Sequence, residues 1–108
     1  MEIIFHEHHA EISERMRDRA RRAVRRVTRR LDRVVDAVVR FEQDGPTRRV
    51  EIVLHTPGHR QLMAKSEGRF FGAALADVTD RLLAQLPKKD TVKTRSRAEA
   101  RARRVPAL

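Results

Sequence analysis

The chain contains no cysteine, no tryptophan and no tyrosine. Without cysteine, neither a disulfide nor a thiolate metal site holds it together. Phe5, Phe41, Phe70 and Phe71 are its only aromatic residues, which leaves little for the base stacking that single-strand-binding sheets use. Glycine and proline number four each. No glycine-rich phosphate loop is formed from them, and neither GxSxG nor HExxH occurs. No apolar run approaches the ~18 residues of a membrane span, and the opening MEIIFHEHH is acidic, where a signal peptide begins basic. These absences lead to the expectation of a soluble, cytoplasmic, non-enzymatic protein with no cofactor, no bound metal, no small-molecule substrate and no membrane partner. At 108 residues the core is small and must come from well-patterned elements.

Positive charge is what the chain has in excess. Lys and Arg total 25 against 15 Asp and Glu, a net of +10. Residues 13–33 hold ten arginines against Glu14, Asp18 and Asp32, a net of +7. Residues 87–108 hold eight basic residues against Asp90 and Glu99, a net of +6, and everything else sums to −3. Charge concentrated in this way favours a polyanionic partner, nucleic acid before an anionic membrane surface.

The pattern divides into six elements. Glu2-Ile3-Ile4-Phe5-His6 is a short apolar run and predicts a strand. Ser13 before Glu14 is an N-cap with an acid in the first turn. Met16, Ala20, Ala23, Val24, Val27 and Leu31 then share one helical face, so a helix is predicted from about Glu14 to Asp32. Val35, Ala37, Val39 and Phe41 alternate with Asp36, Val38, Arg40 and Glu42 and predict a strand with one buried face. Gln43-Asp44-Gly45-Pro46 is turn chemistry. Val50, Ile52 and Leu54 give a third strand, Pro57-Gly58 a second turn, and Leu62, Ala64 and Ser66 a weaker fourth strand closed by Gly68. Phe71, Ala74, Leu75, Val78, Leu82 and Leu86 define a second helix, stopped by Pro87. The order β-α-β-β-β-α predicts an α+β fold. It is a two-layer sandwich in which a four-stranded mixed sheet carries both helices on one face, similar in outline to a double-stranded RNA-binding fold. The expected division is a folded unit over residues 1–87 and a basic, disordered tail over 88–108.

On a helical projection Arg15, Arg22, Arg26, Arg29 and Arg33 fall within a ~60° stripe away from the apolar face, with Arg25 at its edge. A basic helix face is ordinarily a solvated one. Such a face usually mixes in acids for i,i+4 support, however, and here acids are scarce and the cations are arginine, which grips phosphate bidentately. The second helix adds Arg81 and Gln85, continued by Lys88 and Lys89. These cations also suit the negative end of a helix dipole. His6, His8 and His9 cluster near Glu7 and Glu11 but lack the fixed fourth partner of a metal site.

Some of these residues, in this order and spacing, resemble a known family. They are Glu11-Ile12-Ser13-Glu14 entering the first helix, Met16-Arg17 after it, Leu31-Asp32-Arg33 at its predicted end and Val50-Glu51-Ile52 in the third strand. Glu67-Gly68, Ala73-Ala74-Leu75, Asp80-Arg81-Leu82 and Gln85-Leu86 complete the set. Over residues 2–89 the chain resembles the ribosome hibernation promoting factors and ribosome-associated inhibitor A, also known as sigma-54 modulation proteins. The resemblance implies binding to the small ribosomal subunit and its RNA between head and body, occlusion of the mRNA and tRNA sites, and silencing of translation in stress or stationary phase. It implies RNA-backbone contacts at Arg22, Arg26, Arg29, Arg33, Arg81, Lys88 and Lys89. Where the family usually has an acid, a methionine and a tyrosine, this chain has Phe70, Phe71 and Gly72, and Ala76 stands where aspartate is common. Long family members add a dimerisation domain, for which the residues after Leu86 are too few. The expectation is a short form, monomeric off the ribosome. The competing expectations are a general double-stranded RNA or DNA binder with no ribosome role, and a module that docks on an acidic protein surface.

Overall fold

Ser13 sets the first reversal of the chain. Its backbone is extended, at φ −71 and ψ 159, and its hydroxyl accepts a hydrogen bond from the Met16 amide at 3.1 Å. That bond satisfies one of the amides a helix N-terminus leaves without a partner. In this computed structural model, which describes residues 1–58 and 60–86, the helix that follows is α1, Glu14–Thr28. Ala20, Val24 and Val27 on its apolar face are fully buried.

The helix stops at Thr28, short of the predicted Asp32. The Arg30 and Leu31 amides bond to the Val27 and Thr28 carbonyls at 3.1 and 3.0 Å, the i→i+3 spacing of a tightened final turn. The Thr28 hydroxyl also donates to the Arg25 carbonyl at 3.3 Å, a local bond that competes with the helical ladder. Leu31 remains half-buried against the core. Arg33 lies beyond the helix, so its predicted place on the helical stripe is corrected.

The strands are β1 (Glu2–His8), β2 (Asp36–Asp44), β3 (Thr47–Thr56) and β4 (Arg60–Gly68). They form one sheet in the order β1-β2-β3-β4, with β1 parallel to β2 and the other pairs antiparallel. Gly45 at φ 61 and Gly58 at φ 83 supply the left-handed backbone of the two turns, which glycine adopts without a steric penalty. Val35, expected to begin the inward series, is 57% exposed and precedes the strand. The parallel register opens with Glu2 beside Asp36, so the first inward residue of β2 is Ala37.

Burial falls on one face of the sheet. Ala37, Val39 and Phe41 of β2 and Val50, Ile52 and Leu54 of β3 are fully buried. Against them lies α2, Phe71–Ala84, through Ala74, Leu75, Val78 and Leu82, with Leu86 beyond its end. Both helices therefore cover the same face, and the fold is the predicted α+β sandwich. Phe41 is its centre: its ring lies 6.4 Å from Phe5 and 5.4 Å, edge-on, from Phe71. Phe70, by contrast, is 69% exposed. No helix among the described residues is long and apolar enough to cross a membrane. Lys88, Lys89 and the rest of the expected tail lie outside the described residues, as do Pro87 and His59.

The opposite face carries no helix. Ile4, Val38, Val53 and Met63 form one apolar row across all four strands, and His6, Arg40, Glu51 and Lys65 form the next. The arginines here are matched by acids. Arg40 pairs with Glu51 at 3.0 Å, Arg49 lies between Glu67, Glu42 and Asp44 at 2.9, 3.6 and 3.7 Å, and His55 Nδ1 lies 2.5 Å from Asp36.

Candidate nucleic-acid interface

The arginines of residues 13–33 divide into two sets by what they touch. Arg17 reaches back to β1, with Nη2 2.5 Å from Glu7 Oε2 and Nη1 3.0 Å from Glu14 Oε1. Hydrogen bonds to Glu7 first and Glu14 second hold its pKa above the ordinary arginine value. Arg21 pairs with Glu14 at 3.1 Å and with Asp18, and its guanidinium lies over the Phe5 ring at 5.2 Å. Hydrogen bonds from Arg21 and then Arg17 in turn hold Glu14 below the ordinary carboxylate range. These two arginines therefore tie α1 to β1, and the helix's acids go to them. Arg30 and Asp32 also have partners.

The second set is unpaired. Among the described residues Arg15, Arg19, Arg22, Arg25, Arg26, Arg29 and Arg33 have no ion-pair partner, and all are exposed. Arg25 and Arg26 stand in the last turn of α1 and Arg29 is its C-cap. From Arg15 to Arg29 the row covers about 21 Å at the α-helical rise. Cations at the C-terminal end are favoured by the helix dipole, which stabilises Arg25, Arg26 and Arg29 in place without neutralising them.

Arg22 and Arg26 line a groove between the two helices, ≈ 400 Å³ in volume, whose other wall is Leu75, Ala76, Thr79 and Asp80 of α2. Arg19 lines it too, although it is absent from the set read from the sequence. At ~100° per residue it lies about 20° from Arg26, so the signal was available. Arg33 joins a different place, a ≈ 750 Å³ hollow at the end of the sheet that it lines with Leu31, Pro57, Arg60 and Leu86. Arg60, at the start of β4, shares this hollow with residues of the α1–β2 connection, a tertiary juxtaposition that no local pattern announces.

Arg81 faces away from the groove. It borders Lys65, Met63 and Gln85 over β4, and its Nε donates to Asp77 Oδ2 at 2.9 Å. Asp77 also accepts from the Ser66 hydroxyl. That bond first, and Arg81 second, hold its carboxyl below the ordinary range. Gln85 donates to the Met63 carbonyl at 2.9 Å. Arg81 thus belongs to a side of the helix layer separate from Arg22, Arg25, Arg26 and Arg29.

Among the described residues the histidines do not gather with acids into a metal-binding group. His6 and His8 lie on the helix-free face of β1, while His9 takes a left-handed backbone at φ 54 with its ring edge-on to His8.

Residues 3–94 match the sequence profile of the family described as sigma 54 modulation protein / S30EA ribosomal protein. No curated protein matches the chain as a relative. Among solved structures, a ribosomal subunit interface protein from Coxiella burnetii superposes with a TM-score of 0.74 at 19% identity, covering 84% of this chain and 99% of that one. The N-terminal domain of Protein Y from Thermus thermophilus superposes with a TM-score of 0.69 at 28% identity, covering 79% of this chain and 94% of that one.

Proposed function

Because the chain belongs to the sigma 54 modulation protein / S30EA ribosomal protein family, we propose that it is a ribosome-binding hibernation factor. It holds the RNA of the small ribosomal subunit through the arginine side of its helix layer. In that position it occupies the mRNA and tRNA paths and halts translation in the cytoplasm during stress or stationary phase. The mechanism is steric: a folded body with a cationic face fills a channel and needs no bond-making step.

The observation that supports this reading is the asymmetry of charge between the two faces. On the helix-free face the arginines are matched by carboxylates. On α1 the scarce acids are taken by Arg17 and Arg21, and Arg22, Arg25, Arg26 and Arg29 are left exposed and unmatched. A polyanion gains counterion-release energy from the second face and little from the first. The open sheet has no exposed aromatic to stack bases, so RNA is held at the helix layer chiefly by backbone and shape.

Cell-free translation tests the proposal. Added wild-type protein lowers the yield of a reporter, and the triple variant Arg22→Glu, Arg26→Glu, Arg29→Glu, folded by circular dichroism, does not. Equal inhibition by both proteins removes α1 from the mechanism. No inhibition by the wild type removes the mechanism itself.

A further inference from the structure

The groove between α1 and α2 contains a residue that phosphate binding does not explain. Arg19, Arg22 and Arg26 of α1 line one wall, and Asp80 of α2 is among the residues that line the other. Asp80 is exposed and, among the described residues, has no hydrogen-bond or ion-pair partner. The neighbouring Thr79 hydroxyl donates to the Leu75 carbonyl at 2.7 Å and has no further hydrogen to offer. A carboxylate in a phosphate-binding groove is a liability, because it repels the ligand the arginines attract. It becomes useful if the groove admits something that donates hydrogen bonds.

An unpaired nucleobase fits that description. A carboxylate is an acceptor with two oxygens and no hydrogen. Among the Watson–Crick edges of the four RNA bases, only guanine presents two adjacent N–H donors, N1–H and N2–H₂, to match it. Cytosine, adenine and uracil each offer a single donor position beside acceptors. Between the walls, Ala23, Leu75 and Ala76 supply apolar surface for the face of a base, and arginine planes stack on bases. At ≈ 400 Å³ the groove has room for a base with its sugar.

We propose that the α1–α2 groove takes a single unpaired RNA base, guanine by preference, with the base's Watson–Crick donors on Asp80 and its flanking phosphates on Arg19, Arg22 and Arg26. The inference rests on the RNA-binding reading of the helix layer and adds a sequence preference to it. The backbone contacts position the strand and Asp80 selects the base.

Binding of the full chain to short oligouridine strands carrying one central guanosine, inosine or adenosine, followed by fluorescence anisotropy, tests it. A bidentate base contact gives about tenfold discrimination or more. The guanosine strand is therefore expected to bind about tenfold tighter than the adenosine strand, with inosine, which lacks N2–H₂, in between. In Asp80→Ala, which substitutes an exposed helix position with a strong helix former, this preference collapses. Affinity for the plain oligouridine strand rises at the same time, because a repelling charge has gone. Discrimination unchanged in Asp80→Ala, or absent from the wild type while all strands bind, overturns the base-reading role and leaves the ribosome-binding reading standing. A wild type that binds no strand and no small subunit removes both.

Discussion

Arg19 lies over Gly72: its Nη1 is 2.9 Å from the point a Cβ on residue 72 would occupy, and its Nη2 3.5 Å. The guanidinium thus uses space that any larger side chain at 72 would claim, at the end of the helix pair where α2 begins. Phe70, the N-cap of α2, makes no side-chain cap bond. Here a glycine on one helix and an arginine on the other occupy the corner.

Gly72→Ala should displace Arg19 and do little else. The obstructing atoms are the tip of a flexible side chain, and alanine is favoured over glycine in a helix by up to ~1 kcal/mol. The melting temperature should stay level or rise, while RNA affinity changes through the moved guanidinium. A clear fall in melting temperature would show that the space serves something other than the arginine tip.

The two sets of arginines should separate in mutagenesis. Arg17→Ala breaks the link from α1 to Glu7 and Glu14 and should lower the urea midpoint with little effect on the salt dependence of RNA binding. Arg22→Ala, Arg26→Ala and Arg29→Ala together should leave the midpoint in place and reduce the slope of log K against log salt by about 3, one for each lost phosphate contact. Urea titration and binding at several salt concentrations, run on both proteins, give the comparison.

Acid should destabilise the protein through carboxylates held below their ordinary pKa. For Glu14 and Asp77 the folded value is depressed. Their stabilisation is therefore complete above the unfolded value and is lost as pH falls through the lower, folded one. Unfolding midpoints should hold steady through neutrality and drop below pH of about 4. Asp77→Asn removes the group that Ser66 and Arg81 hold, so part of that acid dependence should disappear. An unchanged pH profile in the variant would assign the acid sensitivity elsewhere.

Phe41→Ala should be the most damaging single change in the core. The side chain is fully buried between Phe5 and Phe71, and truncating such a phenylalanine costs about 3–5 kcal/mol. That is a large part of the stability of a small domain, and chemical denaturation measures it directly.

The fold was legible because its elements are local patterns that agree with one another. The period-two series ending at Phe41, the series Val50-Ile52-Leu54, the cap at Ser13 and the glycines of two turns each point to one element. The order of those elements leaves few ways to cover one sheet face. The end of α1 was not legible, because Leu31 continues the helical spacing while the tightened turn at Thr28 has already taken the chain off the axis. The candidate interface was legible in its charge and not in its pairing. Ten arginines in one segment announce a cationic face, but only tertiary contact reveals that Glu7 reaches across to take Arg17. The same holds for Arg81, which leans on Asp77 away from the groove, and for Asp80, which faces the arginines of the other helix.

Sedimentation of the purified protein with small ribosomal subunits through a sucrose gradient, at moderate salt and with excess duplex RNA competitor, is the sharpest check of ribosome binding. Phosphate contacts alone weaken steeply with salt, so only a shaped site should keep the protein on the subunit under those conditions. The wild type should travel with the small subunit, and the variant carrying glutamate at positions 22, 26 and 29 should stay at the top of the gradient. Wild-type protein lost to the duplex competitor would contradict it and make this chain a general duplex binder.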